Sequence, residues 1–140
     1  MQSAFKGIVK SGLEKGCLFL SMPEYVSRLE RLLGFKPFSG TLNVEVEEQL
    51  LEGFLKGLKG EKIESFEKAG QVFGCLTIYR VSFKGMKAAI IRPAKTGHPG
   101  NIAEIIAPLK LRDAFSLNDG DAVEICLPEK ESQKKKKVVK

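Results

Sequence analysis

The chain has 140 residues, 43% of them hydrophobic and 29% charged, with a formal net charge of +6. That length fits one domain with its own core, and the composition excludes wholesale disorder. The positive balance invites a nucleic-acid or anionic-ligand reading, but it is unevenly spread. The stretch Glu129–Lys140 holds six lysines and two glutamates, leaving 17 basic and 15 acidic side chains for residues 1–128. The expected division is therefore a folded domain over 1–128 and a lysine-rich, solvated tail over 129–140.

The first residues, MQSAFKGIVKSG, lack the apolar segment of a signal peptide, and no apolar run approaches a membrane span, so a cytoplasmic protein without membrane contact is expected. Cys17, Cys75 and Cys126 are far apart and form no CxxC pair, so they are expected as buried free thiols rather than disulfides or zinc ligands. His98 is the single histidine and cannot build a multi-histidine metal site.

In chain order, Ala4–Val9 reads as a first strand and Cys17–Leu20 as a second, joined by a glycine-punctuated loop. Ser21-Met22-Pro23-Glu24 has capping-box spacing, and Tyr25, Leu29, Leu32 and Leu33 then mark the buried stripe of a helix ending at Gly34, with Arg28, Glu30 and Arg31 on its outer face. Thr41–Val46 alternates polar and apolar residues as a strand. Leu50–Leu58 has helical spacing weakened by glycines. Phe73–Phe83 and Lys87–Arg92 form a long hairpin about Lys84-Gly85. After the loop Pro93–Asn101 come the strand Ile102–Ala107, one or two helical turns over Leu109–Phe115, a turn at Asn118-Asp119-Gly120, and the strand Ala122–Leu127. Many short strands with one good helix predict a mainly β protein, a β-barrel with helical insertions. An open α/β sheet would need helices alternating with the later strands.

Several groups of residues can carry chemistry. Thr41 and Asn43 are two apart on a strand, so their oxygens share a face, and two neutral hard oxygens suit a magnesium ion whose charge is balanced by phosphate. The same pair is equally at home as an ordinary solvent face. The loop Gly12–Gly16 offers backbone N–H groups to phosphate oxygens, although it has neither P-loop nor GxGxxG spacing. Lys15, Lys110 and Arg112 are candidate anion-binding cations. Glu104 interrupts an apolar strand, where it either points outward by alternation or serves a polar ligand.

Taken in order, GIVKSGLEKG (Gly7–Gly16), LGFKPFSGTLNV (Leu33–Val44), RPAKTGHPGNIAEIIAPLKLRD (Arg92–Asp113) and LNDGDAVEI (Leu117–Ile125) resemble the archaeal CTP-dependent riboflavin kinase family. The resemblance implies a six-stranded cradle-loop barrel of the riboflavin-kinase type; separately, a monomer is expected. It implies transfer of the γ-phosphoryl group of CTP to the 5′-hydroxyl of riboflavin, giving FMN and CDP. Magnesium would be held by Thr41 and Asn43. The nucleotide would be held by Gly12, Leu13, Glu14, Lys15, Gly16 and Cys17 together with Leu109, Lys110, Leu111 and Arg112. Thr96 and Glu104 would contact the flavin, with Glu104 turned inward and orienting the reacting hydroxyl. The first loop departs from the family pattern, since Glu14 and Lys15 stand where a glycine and a glutamate are usual. Some members of that family also carry a DNA-binding domain; none is expected here, because the barrel pattern starts at once. Two other readings compete: a basic barrel that binds nucleic acid, disfavoured by the absence of Trp and of an aromatic strand motif, and a flavin-binding barrel without kinase activity.

Overall fold

The computed structural model describes residues 3–11, 20–93 and 100–128. The lysine tail, the loop from Gly12 to Cys17, and Thr96 and His98 lie outside the described residues.

Nine strands are described: β1 (Ala4–Lys10), β2 (Leu42–Glu45), β3 (Glu61–Ile63), β4 (Phe66–Lys68), β5 (Gln71–Phe73), β6 (Leu76–Phe83), β7 (Met86–Pro93), β8 (Ile102–Ile106) and β9 (Ala122–Cys126). The helices are α1 (Pro23–Leu33), α2 (Glu48–Lys56) and the single turn α3 (Leu111–Ala114). The main sheet runs β3-β6-β7-β8-β2-β1-β9, and a further β6–β9 pairing, Ser82 against Cys126, closes six of its strands into a barrel. Every pairing is antiparallel. The fold is thus the expected mainly β barrel with few helices.

Strand alternation sorts the apolar residues into two layers. Phe5 and Val9 of β1, Leu42 and Val44 of β2, Val81 and Phe83 of β6, Ala88 and Ile90 of β7, Ala103 and Ile105 of β8, and Val123 and Ile125 of β9 fill the interior. Leu51, Phe54 and Leu55 of α2 join that cluster, with Phe54 edge-on to Phe5 at 4.9 Å. The alternate residues Ile78, Ala89, Ile91 and Ile106 face outward and are covered by Tyr25, Leu29 and Leu33 of α1. Strands β7 and β8 are therefore buried on both faces, which is why they read as nearly unbroken apolar runs.

Local chemistry fixes the connections. The β6–β7 hairpin turns on Lys84 (φ 51°) and Gly85 (φ 83°), two consecutive left-handed residues that match strand twist, as the Lys84-Gly85 signal predicts. Helix α1 ends at Gly34 (φ 82°), whose N–H reaches the Glu30 carbonyl at 2.9 Å. The Tyr25 hydroxyl donates to the Gly74 carbonyl at 2.6 Å, tying α1 to the link between β5 and β6.

Some expectations change. The N-cap of α1 is Met22, without a side-chain cap hydrogen bond, rather than the expected Ser21, and the helix starts on Pro23. Arg28 does not stand free in solvent: it donates to the Glu64 carbonyl and lies over the Phe66 ring. The second strand, expected at Cys17–Leu20, falls outside the described residues except for Leu20, which is helical. Phe73–Phe83 is not one strand. Gly74 and Cys75 break it, and β5 pairs with β4 in a separate small sheet whose Phe66 and Phe73 rings stack at 5.4 Å. Leu50 is exposed, and the buried stripe of α2 starts at Leu51. Cys75 and Cys126 are free thiols but only half-buried.

Gly7 sits on the interior-facing row of β1, where a Cβ would run into Val44 Cγ1 and come within 2.7 Å of the Glu45 carbonyl oxygen. Gly7→Ala should cost about 1–3 kcal/mol through overpacking against β2. At Gly74, by contrast, a Cβ meets nothing within 4 Å and φ is not left-handed. Urea denaturation should show a lower midpoint for Gly7→Ala and an unchanged or slightly higher one for Gly74→Ala.

Candidate functional site

A cleft of about 420 Å³ opens at the barrel rim where β1 ends, β2 begins and β8 ends. Its polar wall is formed by Lys10, Ser11, Thr41, Asn43, Lys110 and Arg112. Leu42 and Ile105, partners in the β2–β8 ladder, form apolar wall, and the Phe38 N–H bonds the Ala107 carbonyl at 2.8 Å to hold the segment before β2 against the end of β8.

Thr41 and Asn43 project from the outer face of the barrel, opposite Leu42 and Val44. Their oxygens converge, Thr41 Oγ1 lying 3.4 Å from Asn43 Oδ1. Neutral hydroxyl and carboxamide oxygens lying this close are the hard donors that magnesium takes. Both donors are neutral, and no group of three or more His, Cys, Asp or Glu side chains is arranged to hold a metal among the described residues. The pair fits a magnesium ion that is held jointly with an anionic ligand, and the chain alone would hold it weakly.

Glu104 is the register partner of Asn43 on β2 and of Ile91 on β7. It therefore faces outward with Ile91 and Ile106, as simple alternation allowed, which corrects the inward orientation that the resemblance implied. It is nevertheless only 2% exposed, and Asn43 only 5%. Lys10 pairs with Asn43 in turn, so Lys10, Asn43 and Glu104 form one row across β1, β2 and β8. The Lys10 ammonium lies 3.6 Å from Glu45, whose other oxygen accepts from Asn101 Nδ2 at 3.5 Å.

The segment before and within α3 supplies the remaining wall. Leu109 and Lys110 are exposed beside the cleft, whereas Leu111 is packed into the barrel interior. Arg112 is already engaged: its Nη2 lies 2.6 Å from Asp119 Oδ1, 2.8 Å from Ser11 Oγ and 3.1 Å from the Lys10 carbonyl oxygen. Ser11 also donates to Asp119 Oδ1 at 2.6 Å. Hydrogen bonds from Ser11 and Arg112 hold the Asp119 carboxyl below its usual range, so it stays ionised further into acid than a free aspartate.

Of the residues singled out from the sequence, Thr41, Asn43, Leu109, Lys110, Leu111 and Arg112 meet at this cleft, with Glu104 beside Asn43 in the ladder. Gly12, Leu13, Glu14, Lys15, Gly16, Cys17 and Thr96 lie outside the described residues. Sequence reasoning missed Lys10, Ser11 and Asp119. Lys10 lies one residue past the expected end of the first strand at Val9, and Ser11 and Asp119 are 108 residues apart with no local pattern to join them.

Comparison with known proteins agrees with this architecture. The family model CTP-dep_RFKase, described as "Domain of unknown function DUF120", matches residues 9–127. A protein named riboflavin kinase from Pyrobaculum arsenaticum is 39% identical over 121 residues, covering 85% of this chain and 58% of its own length. Another from Methanocella arvoryzae is 40% identical over 127 residues, covering 87% and 56%. A third, from Sulfurisphaera tokodaii, is 40% identical over 124 residues, covering 86% and 91%. The chain thus spans little more than half the length of the first two and nearly all of the third. With the family model matching residues 9–127 and relatives at about 40% identity, the chain belongs to the CTP-dep_RFKase family.

Proposed function

We propose that this protein is a riboflavin kinase that uses CTP: the 5′-hydroxyl oxygen of riboflavin bonds to the γ-phosphorus, the bond from that phosphorus to the β,γ-bridging oxygen breaks, and FMN and CDP leave. The observation that carries this reading is the meeting of the Thr41 and Asn43 oxygens, in the same strand row as buried Glu104, with Lys110 on the wall of one cleft. The names of the relatives support the acceptor, and the name of the family supports the donor.

Phosphoryl transfer asks a protein mainly for positioning and charge neutralisation. Thr41 and Asn43 would hold the magnesium ion, which when bound neutralises phosphate charge. Lys110, exposed at the cleft, offers a mobile positive charge to the phosphate chain. Glu104 orients the flavin hydroxyl and accepts its proton, which then passes to solvent. A carboxylate held in a buried row is suited to that task because its position is set by the ladder on both sides. The Gly12–Cys17 loop and Thr96 complete the nucleotide and flavin contacts in this proposal, and no nucleic-acid or membrane partner is required. Among the described residues no helix is long and apolar enough to cross a membrane.

The test is incubation with riboflavin, magnesium and CTP, ATP or GTP in parallel, with FMN separated by chromatography. FMN formed with CTP alone supports the proposal; flavin binding without turnover, or neither binding nor turnover, contradicts it. Glu104→Gln keeps the size of the side chain and removes its basicity, so kcat should fall by about 10²–10⁴ while the KM for CTP stays near the wild-type value. An unchanged kcat would remove Glu104 from the proton transfer.

A further inference from the structure

The closing motif Asn118-Asp119-Gly120-Asp121 finds no direct role in the reaction above, yet each of its residues has a structural task. The Asn118 carbonyl accepts from the Asp121 N–H at 3.0 Å, and the Asp121 carboxylate accepts from the Asn118 N–H at 2.8 Å, so the turn is closed from both sides. Gly120 adopts φ 93°, which a side chain would strain, and its N–H bonds the Val9 carbonyl at 2.9 Å. The Val9 N–H in turn bonds the Asp121 carbonyl at 2.9 Å. The turn is thereby laid across the end of β1, and Asp119 is carried toward Ser11 and Arg112.

Asp119 is not among the residues that line the cleft, but both side chains it binds are. Its carboxylate is the common acceptor of the Ser11 hydroxyl and the Arg112 guanidinium, and the same guanidinium reaches the Lys10 carbonyl. Two residues of the cleft wall, Ser11 just after β1 and Arg112 of α3, are fixed to one oxygen, and Arg112 ties in the Lys10 carbonyl as well. The pair is solvent-accessible, with the Asp119 side chain 57% exposed, so it adds little to stability. Its effect is geometric: Arg112 has many rotamers, and the carboxylate selects one.

We propose that Asp119 is a positioning residue for the nucleotide, holding Ser11 and Arg112 in the arrangement that receives its phosphates. This rests on the kinase reading. Simple electrostatics predicts the opposite sign, because removing a negative charge beside an anion site should tighten anion binding. The two views therefore separate cleanly.

The experiment measures CDP binding with magnesium by titration calorimetry for the full chain and for Asp119→Asn and Asp113→Asn, with the melting temperature and the KM for riboflavin of each. Asp113 is an exposed neighbour of Arg112 and serves as the charge control. Asp119→Asn should weaken CDP binding about tenfold, or about 1.4 kcal/mol, with the riboflavin KM and the melting temperature close to wild type; Asp113→Asn should bind CDP no more weakly than wild type. Equal or tighter CDP binding by Asp119→Asn overturns the proposal, as does a loss shared by riboflavin and accompanied by a large fall in melting temperature. A wild-type chain with no affinity for CDP would overturn the kinase reading itself, and this inference with it.

Discussion

The register of β2 against β8 is the constraint on which the rest of the site depends. Leu42 faces Ile105 and Val44 faces Ala103 inside the barrel, and that apolar pairing forces Asn43 to face Glu104 on the outside. A slip of one residue would send Leu42 and Val44 into the outer layer and bury Asn43 in the interior, at a cost of several apolar burials and an amide without water. The interior cluster therefore sets the polar row. The same logic extends to β1, where Val9 and Phe5 point inward and Lys10 takes its place beside Asn43. Barrel closure through β6 and β9 holds all these strands in one frame.

Charge is used sparingly within that frame. Of the cations near the cleft, Lys10 is paired with Glu45 and Arg112 with Asp119, while Lys110 lines the cleft on the exposed side. A net charge of +6 first suggests a search for a polyanion, but most of the excess lies in the sequence of residues 129–140. The cleft has a local arrangement of a few cations and two neutral oxygens, which suits a small phosphorylated ligand better than a long phosphate backbone.

Much of this was legible in the sequence, for identifiable reasons. The Lys84-Gly85 hairpin, the Tyr25–Leu33 stripe and the doubly buried runs at Ala88–Ile91 and Ile102–Ile106 each follow from local period or turn chemistry, and the structure contains them. The alternation across Thr41–Val46 placed Thr41 and Asn43 on one face, where their oxygens do meet. Local pattern failed where tertiary contacts decide. Phe73–Phe83 is rich in β-formers throughout, but the Tyr25 hydroxyl captures the Gly74 carbonyl and the strand is divided there. Alternation along Ile102–Ile106 allowed Glu104 to point outward, while the resemblance implied an inward turn; the register with Asn43 and Ile91 sets it outward, and it is buried all the same. The Ser11–Asp119–Arg112 junction needs the ends of the chain brought together and leaves no trace in any short window.

The account's central claim is that the outward row of β2 holds the metal while its inward row holds the fold. The most direct measurement is the magnesium dependence of FMN formation by the Thr41→Ala, Asn43→Ala double variant, with its circular dichroism and thermal unfolding recorded on the same sample. The account predicts a folded barrel that forms no FMN at any magnesium concentration that saturates the wild type. A folded double variant with wild-type activity and magnesium dependence would contradict it.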